Sequence, residues 1–142
     1  MKKILLSLLS TVILLGASSQ AFSAFIYVRH HNTSGGELRL VSNFLRCDGG
    51  YCYIPSVIYK YDTSQVSNQP SSIKDEGAFA LQYVMQSSSS NCGLFVAAYK
   101  FKWEKKYWYD YNPIGSNNSS CKISPTSIFP ELGQFSYEIE QG

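Results

Sequence analysis

Acid–base chemistry in this chain falls first to His30 and His31, its only two histidines. Adjacent side chains on a strand point to opposite faces, so the pair cannot serve one site unless the strand is broken there. The plainer expectation is one packed histidine and one exposed. Asp75-Glu76 can bind a cation or exchange a proton, but in a polar loop such a pair is ordinarily solvated turn chemistry. Serines are many, yet no G-x-S-x-G elbow presents one as a nucleophile. No C-x-x-C pair offers metal-ligand spacing. The expectation is a protein without catalysis, metal or cofactor.

The four cysteines, Cys47, Cys52, Cys92 and Cys121, are an even set behind an export-type leader and read as two disulfides. Three pairings are possible. Asp48-Gly49-Gly50-Tyr51 is a turn sequence and favours Cys47–Cys52 across a hairpin. Cys92 and Cys121 then bracket a second hairpin, which brings them to matching heights. In the loop-entropy picture the bridges contribute roughly 2 kcal/mol and roughly 3–4 kcal/mol, the larger for the longer loop.

Binding chemistry concentrates in residues 99–111, Tyr-Lys-Phe-Lys-Trp-Glu-Lys-Lys-Tyr-Trp-Tyr-Asp-Tyr. Seven of these thirteen residues are aromatic, and four lysines face two acids. Trp and Tyr favour the membrane interface, where one ring is half apolar and half wet. Lysines near an anionic lipid surface contribute about 1 kcal/mol each. Aromatic faces also hold choline-type cations. Trp103, Lys105, Lys106 and Trp108 are the physical candidates for a lipid-facing site. The bland alternative makes Tyr99, Phe101 and Trp103 an inner core face with the lysines on its solvated back.

The beginning of the chain reads as an address. Met1-Lys2-Lys3, an apolar run over 4–16 and the small residues of Ala17-Ser18-Ser19-Gln20-Ala21 have the three-part form of a secretory signal peptide. Cleavage is expected after Ala21 or Ser23, leaving one domain over 24–142. The run is shorter than the roughly 20 residues that span a bilayer. Lys2 and Lys3 account for the whole formal charge of +2, so the remainder is neutral. Neutrality and export exclude nucleic acid as the default partner. With 44% hydrophobic and only 15% charged residues, disorder is excluded too. The expected location is secreted or periplasmic, in a bacterium. There, the glycosylation-type triplets at Asn32, Asn117 and Asn118 carry no weight.

Strands must position these residues. Phe25-Ile26-Tyr27-Val28 opens one. Leu38, Leu40, Ser42 and Phe44 alternate with Arg39, Val41 and Asn43, and Phe79, Leu81, Tyr83 and Met85 with Ala80, Gln82 and Val84. Phe95, Ala97, Tyr99, Phe101 and Trp103 share one face of a further strand, and Tyr107, Tyr109 and Tyr111 one face of its return. Phe135, Tyr137 and Ile139 alternate at the end. Residues 51–61 are β-rich with a Pro at 55, whereas 62–77 read as one long loop. No helical period is sustained outside the leader. The expected fold is all-β, a compact antiparallel β-sandwich of seven to eight strands with two disulfides.

Tyr109-Asp110-Tyr111-Asn112 followed by Ser116-Asn117 resembles the Y-D-Y-N…S-N stretch of actinoporin-like cytolysins, which also follows an apolar strand. The opening strand with Asn32-Thr33-x-Gly35-Gly36, Leu38 and Leu40 looks like the start of the aegerolysins, which share that sandwich. Glu76-Gly77-Ala78-Phe79 leading to Tyr83 is similar to the G-x-x-G-x-L-x-Y strand of both groups. The resemblance implies a sandwich that docks on sphingolipid or phospholipid head groups. It makes Tyr109, Asp110, Tyr111, Asn112, Ser116 and Asn117 the lining of the lipid-facing end. Aegerolysins also imply a larger pore-forming protein as partner. Actinoporins insert an N-terminal helix, for which this chain has no separate segment after its leader. Gly115, Asn118 and Ser119 stand where actinoporins carry aromatics. The reading is an exported, membrane-lipid-binding, cytolysin-like module. Its rival is an exported protein- or glycan-binding module, an inhibitor or adhesin, marked by loop chemistry at 62–77 or 87–91.

Overall fold

A computed structural model describes residues 24–47, 50–70, 77–115 and 119–142. The expected leader, Asp75-Glu76, Ser116 and Asn117 lie outside the described residues. Among the described residues ten strands run in chain order: β1 Phe25–Asn32, β2 Leu38–Arg46, β3 Tyr51–Tyr53, β4 Val57–Ile58, β5 Thr63–Gln69, β6 Gly77–Gln86, β7 Asn91–Lys100, β8 Trp108–Ile114, β9 Cys121–Phe129 and β10 Gln134–Gln141. They form two five-stranded sheets, ordered β3-β5-β1-β10-β9 and β4-β2-β6-β7-β8. Only β1 and β10 pair in parallel. The all-β sandwich is as expected, with ten strands rather than seven or eight.

The added strands have a physical explanation. β5 falls in the segment expected to be loop, because its sequence, TSQVSNQ, is almost wholly polar. Of its side chains only Val66 and Asn68 are buried. Asn68 earns its place by donating from Nδ2 to the carbonyls of Arg46 and Ala80, so one polar side chain satisfies backbone groups of the facing sheet.

The core lies between the sheets. Ile26, Val28, Val66, Phe135, Tyr137 and Ile139 meet Phe79, Leu81, Tyr83, Met85, Leu94, Val96 and Ala98. The alternations of β6 and β10 point inward as read. Two others do not. In β2 the pairing with β6 shifts between Leu40 and Ser42. This bulge at Val41 reverses the phase of the strand, so Phe44 is exposed and Leu45 turns in. In β7 the buried set is Cys92, Leu94, Val96 and Ala98, while Phe95, Ala97 and Tyr99 face outward. Both phases of that strand are apolar, so alternation alone could not choose. Its register opposite Leu81 and Tyr83 of β6 does.

Cys47–Cys52 and Cys92–Cys121 are the pairs formed, with Cα separations of 6.3 and 5.7 Å. Neither is a clip across one hairpin. Cys52 lies in β3 of the first sheet and Cys47 follows β2 of the second; Cys92 lies in β7 and Cys121 in β9. Each disulfide therefore ties one sheet to the other, at opposite ends of the sandwich. Such bridges belong to an oxidising compartment. Among the described residues no helix is long and apolar enough to cross a membrane.

Candidate functional site

β7 stops at Lys100, and the chain turns at one end of the sandwich before β8 begins at Trp108. The Glu104 N–H donates to the Phe101 carbonyl at 3.1 Å, closing a four-residue turn. Trp103 is the third residue of that turn and has φ of 74°, in the left-handed region. Type II turns place Gly there, because a Cβ is strained at positive φ. Instead the turn carries the most exposed large apolar side chain described, Trp103 at 88%. All six residues from Phe101 to Lys106 are exposed.

The loop is pinned at its base. Tyr107 is buried, packs edge-on against Phe79 and donates its N–H to the Pro130 carbonyl at 2.8 Å. Gly133 makes room for this ring: a Cβ there would lie 2.6 Å from it, and the Gly133 φ is +67°. Three lysines sit over aromatic rings: Lys102 over Trp103 at 5.2 Å, Lys106 over Trp108 at 5.1 Å and Lys100 over Tyr107 at 5.9 Å. Each is within the reach of a cation–π contact. The exposed end is thus a rigid base carrying interleaved rings and ammonium groups.

The segment expected to line a single lipid-facing end is divided by β8. Trp103, Lys105, Lys106 and Trp108 do gather at this end, with Trp108 about half exposed. Tyr109 and Tyr111 turn to the other face of β8 from Trp108. They pack across the sandwich on Phe135 and Tyr137, each with ring centroids 4.8 Å apart. Asp110 and Asn112 project outward beside Ala97 and Phe95. Seven residues of β8 then carry the chain about 20 Å toward the opposite end, where Gly115 packs against the Asn91 carbonyl. Tyr111 is partly buried against the core while Tyr109 stays 40% exposed, so rings expected on one face of a hairpin are split between the two faces of β8.

Sequence reasoning missed two members of the exposed end. Phe101, read as inner face, lies beyond the strand and is 59% exposed, edge-on to Tyr99. Phe129, 51% exposed, precedes the Pro130 that receives the Tyr107 bond. The signal for Phe129 was available: it is an aromatic followed directly by the Pro-Glu-Leu-Gly turn sequence.

The histidines separate as strand geometry requires. His30 is fully buried, and His31 is partly exposed with Nδ1 on the Thr63 hydroxyl. His30 joins the sheets: Nδ1 meets the Tyr83 hydroxyl and Nε2 meets Gln141 Oε1, each at 2.8 Å. Gln141 Nε2 donates to the carbonyls of Met85 and Ser90, which turns its Oε1 toward the ring. His30 Nε2–H must then donate to Gln141, and the Tyr83 hydroxyl donates to Nδ1. Burial pushes the His30 pKa down to about 4, partly opposed by the Gln141 bond. This neutral, fully paired imidazole belongs to the core. One other buried polar group has no partner among the described residues, the Tyr137 hydroxyl; burial and the neighbouring Tyr109 and Tyr111 raise its pKa. No group of three or more His, Cys, Asp or Glu among the described residues can hold a metal.

No protein-family model matches the chain, and no curated protein matches it. Among solved structures, the crystal structure of lipid binding protein Nakanori is similar at 12% identity, with a TM-score of 0.48, covering 87% of this chain and 73% of that one. The functional reading rests instead on the surface of this chain.

Proposed function

We propose that this protein is exported and binds the surface of lipid membranes through the end formed by the β7–β8 loop, without making or breaking bonds. The observation that carries the reading is Trp103: an indole 88% exposed, at a strained turn position, ringed by lysines. A non-Gly residue at positive φ costs about 1–2 kcal/mol. Neither that strain nor an exposed indole stabilises the fold, so both point to contact with something outside the chain. An indole that enters the head-group layer gains the environment Trp prefers. The sphingolipid or phospholipid head group is the immediate ligand. The resemblance to aegerolysins adds a larger pore-forming protein as partner, with this chain as the recognition component.

Liposome flotation tests the reading, with vesicles of phosphatidylcholine, phosphatidylcholine with phosphatidylglycerol, and phosphatidylcholine with sphingomyelin. Both tryptophans of the chain, Trp103 and Trp108, lie at this end, so their emission should shift to the blue on binding. Trp103→Gly should lose binding while unfolding no more easily than the parent, because Gly relieves the positive φ. Binding to none of the vesicles, with recovery of one stoichiometric protein or a glycan, would favour the rival module.

A further inference from the structure

The exposed end at the β7–β8 loop also has a charge asymmetry. Over residues 100–106, the end of β7 and the loop that follows, Lys100, Lys102, Lys105 and Lys106 stand against Glu104 alone, an excess of three positive charges. Residues 24–142 are neutral in sum, so everything outside this segment carries a net charge of three negatives. The only ion pair among the described residues is Arg39–Glu37, so none of the four lysines is neutralised by a described carboxylate. Three of them rest on aromatic rings, which hold ammonium groups without consuming their charge. Asp110, exposed on the outward face of β8 two residues beyond Trp108, and Glu131, exposed in the adjoining β9–β10 turn, reduce the local excess to about one.

Resting on the lipid reading above, we infer that this end docks on anionic phospholipid bilayers in preference to zwitterionic ones. The geometry suits such a surface. Phe101, Trp103, Trp108 and Phe129 provide the groups that enter the head-group layer, and the lysines meet lipid phosphates at its level.

An uncompensated lysine near an anionic surface contributes about 1 kcal/mol, roughly fivefold in partitioning. The local excess of about one therefore predicts about fivefold stronger partitioning onto vesicles with 30% phosphatidylglycerol than onto pure phosphatidylcholine. The experiment uses the folded, disulfide-bonded protein and measures partitioning by flotation and tryptophan emission. Sphingomyelin–phosphatidylcholine vesicles form the third arm. The preference should shrink severalfold when salt rises from about 0.1 to 0.5 M, where the Debye length shortens well below 10 Å. Lys105→Gln with Lys106→Gln, both at exposed sites, should lose about thirtyfold on phosphatidylglycerol vesicles and much less on phosphatidylcholine, abolishing the preference, whereas equal losses on both would overturn the inference. Equal binding to all three compositions, or a preference for sphingomyelin, overturns this inference and leaves the lipid reading standing. Binding to none overturns both.

Discussion

Acid should loosen this sandwich through one residue, His30. In the fold its imidazole is neutral, fully buried and bonded to Tyr83 and Gln141, with its pKa pushed down to about 4. In the unfolded chain it titrates near 6.5. A depressed folded pKa means the unfolded state takes up the proton first, so the stability is present above pH 6.5 and is lost as pH falls toward 4. From these two values the loss is about 2 kcal/mol at pH 5 and about 3 kcal/mol at pH 4. That is a sizeable part of the total stability of an ordinary domain. The assay is urea unfolding with both disulfides intact, from pH 7 to pH 4, on the parent and on His30→Gln. Glutamine can donate and accept as the neutral ring does but does not titrate in this range. The variant will be weaker at pH 7, since it fills the site less well. The gap between the two should then close by about 3 kcal/mol as pH falls. Parallel pH profiles would refute the reasoning, as would a direct titration of His30 near 6.5.

Other expectations follow from single contacts. Tyr137→Phe removes a buried hydroxyl that has no described partner, so it should raise the melting temperature by a few degrees, equivalent to about 1 kcal/mol, measured calorimetrically. Gly133→Ala drives a Cβ to 2.6 Å from the Tyr107 ring at positive φ. It should destabilise by about 2 kcal/mol and raise hydrogen exchange at the Tyr107 amide, because the base of the exposed loop is pinned there. Replacing Cys92 and Cys121 together by Ser should cost roughly 3–4 kcal/mol in urea unfolding. The shorter Cys47–Cys52 loop should cost less when treated the same way.

The strands legible in advance are those whose large apolar side chains all fall on one phase, even where, as in β6, Ala80 and Val84 of the other phase are apolar and buried too. β6 and β10 place Phe79, Leu81, Tyr83 and Met85, and Phe135, Tyr137 and Ile139, inward as their alternation requires. The cysteine pairing was legible from spacing and turn chemistry, though not its role in joining the sheets. β5 was not legible, because one Val and one Asn suffice to seat a strand whose edges are already paired by β1 and β3.

The order of residues along the chain settled the class of fold, the packing of one histidine against the exposure of the other, and the concentration of rings and lysines in residues 99–111, and it favoured one of three disulfide pairings. These are local properties: periodicity, spacing and composition. Which rings face solvent was decided only by assembly. The bulge at Val41 turns Phe44 outward. The facing β10 packs Tyr137 on Tyr111 and draws it against the core, while Tyr109, on Phe135, stays 40% exposed. The Pro130 carbonyl and the space left by Gly133 anchor Tyr107, and that leaves Trp103 standing free. An aromatic side chain has the same preference for burial wherever it occurs, so its fate depends on whether another element arrives to cover it.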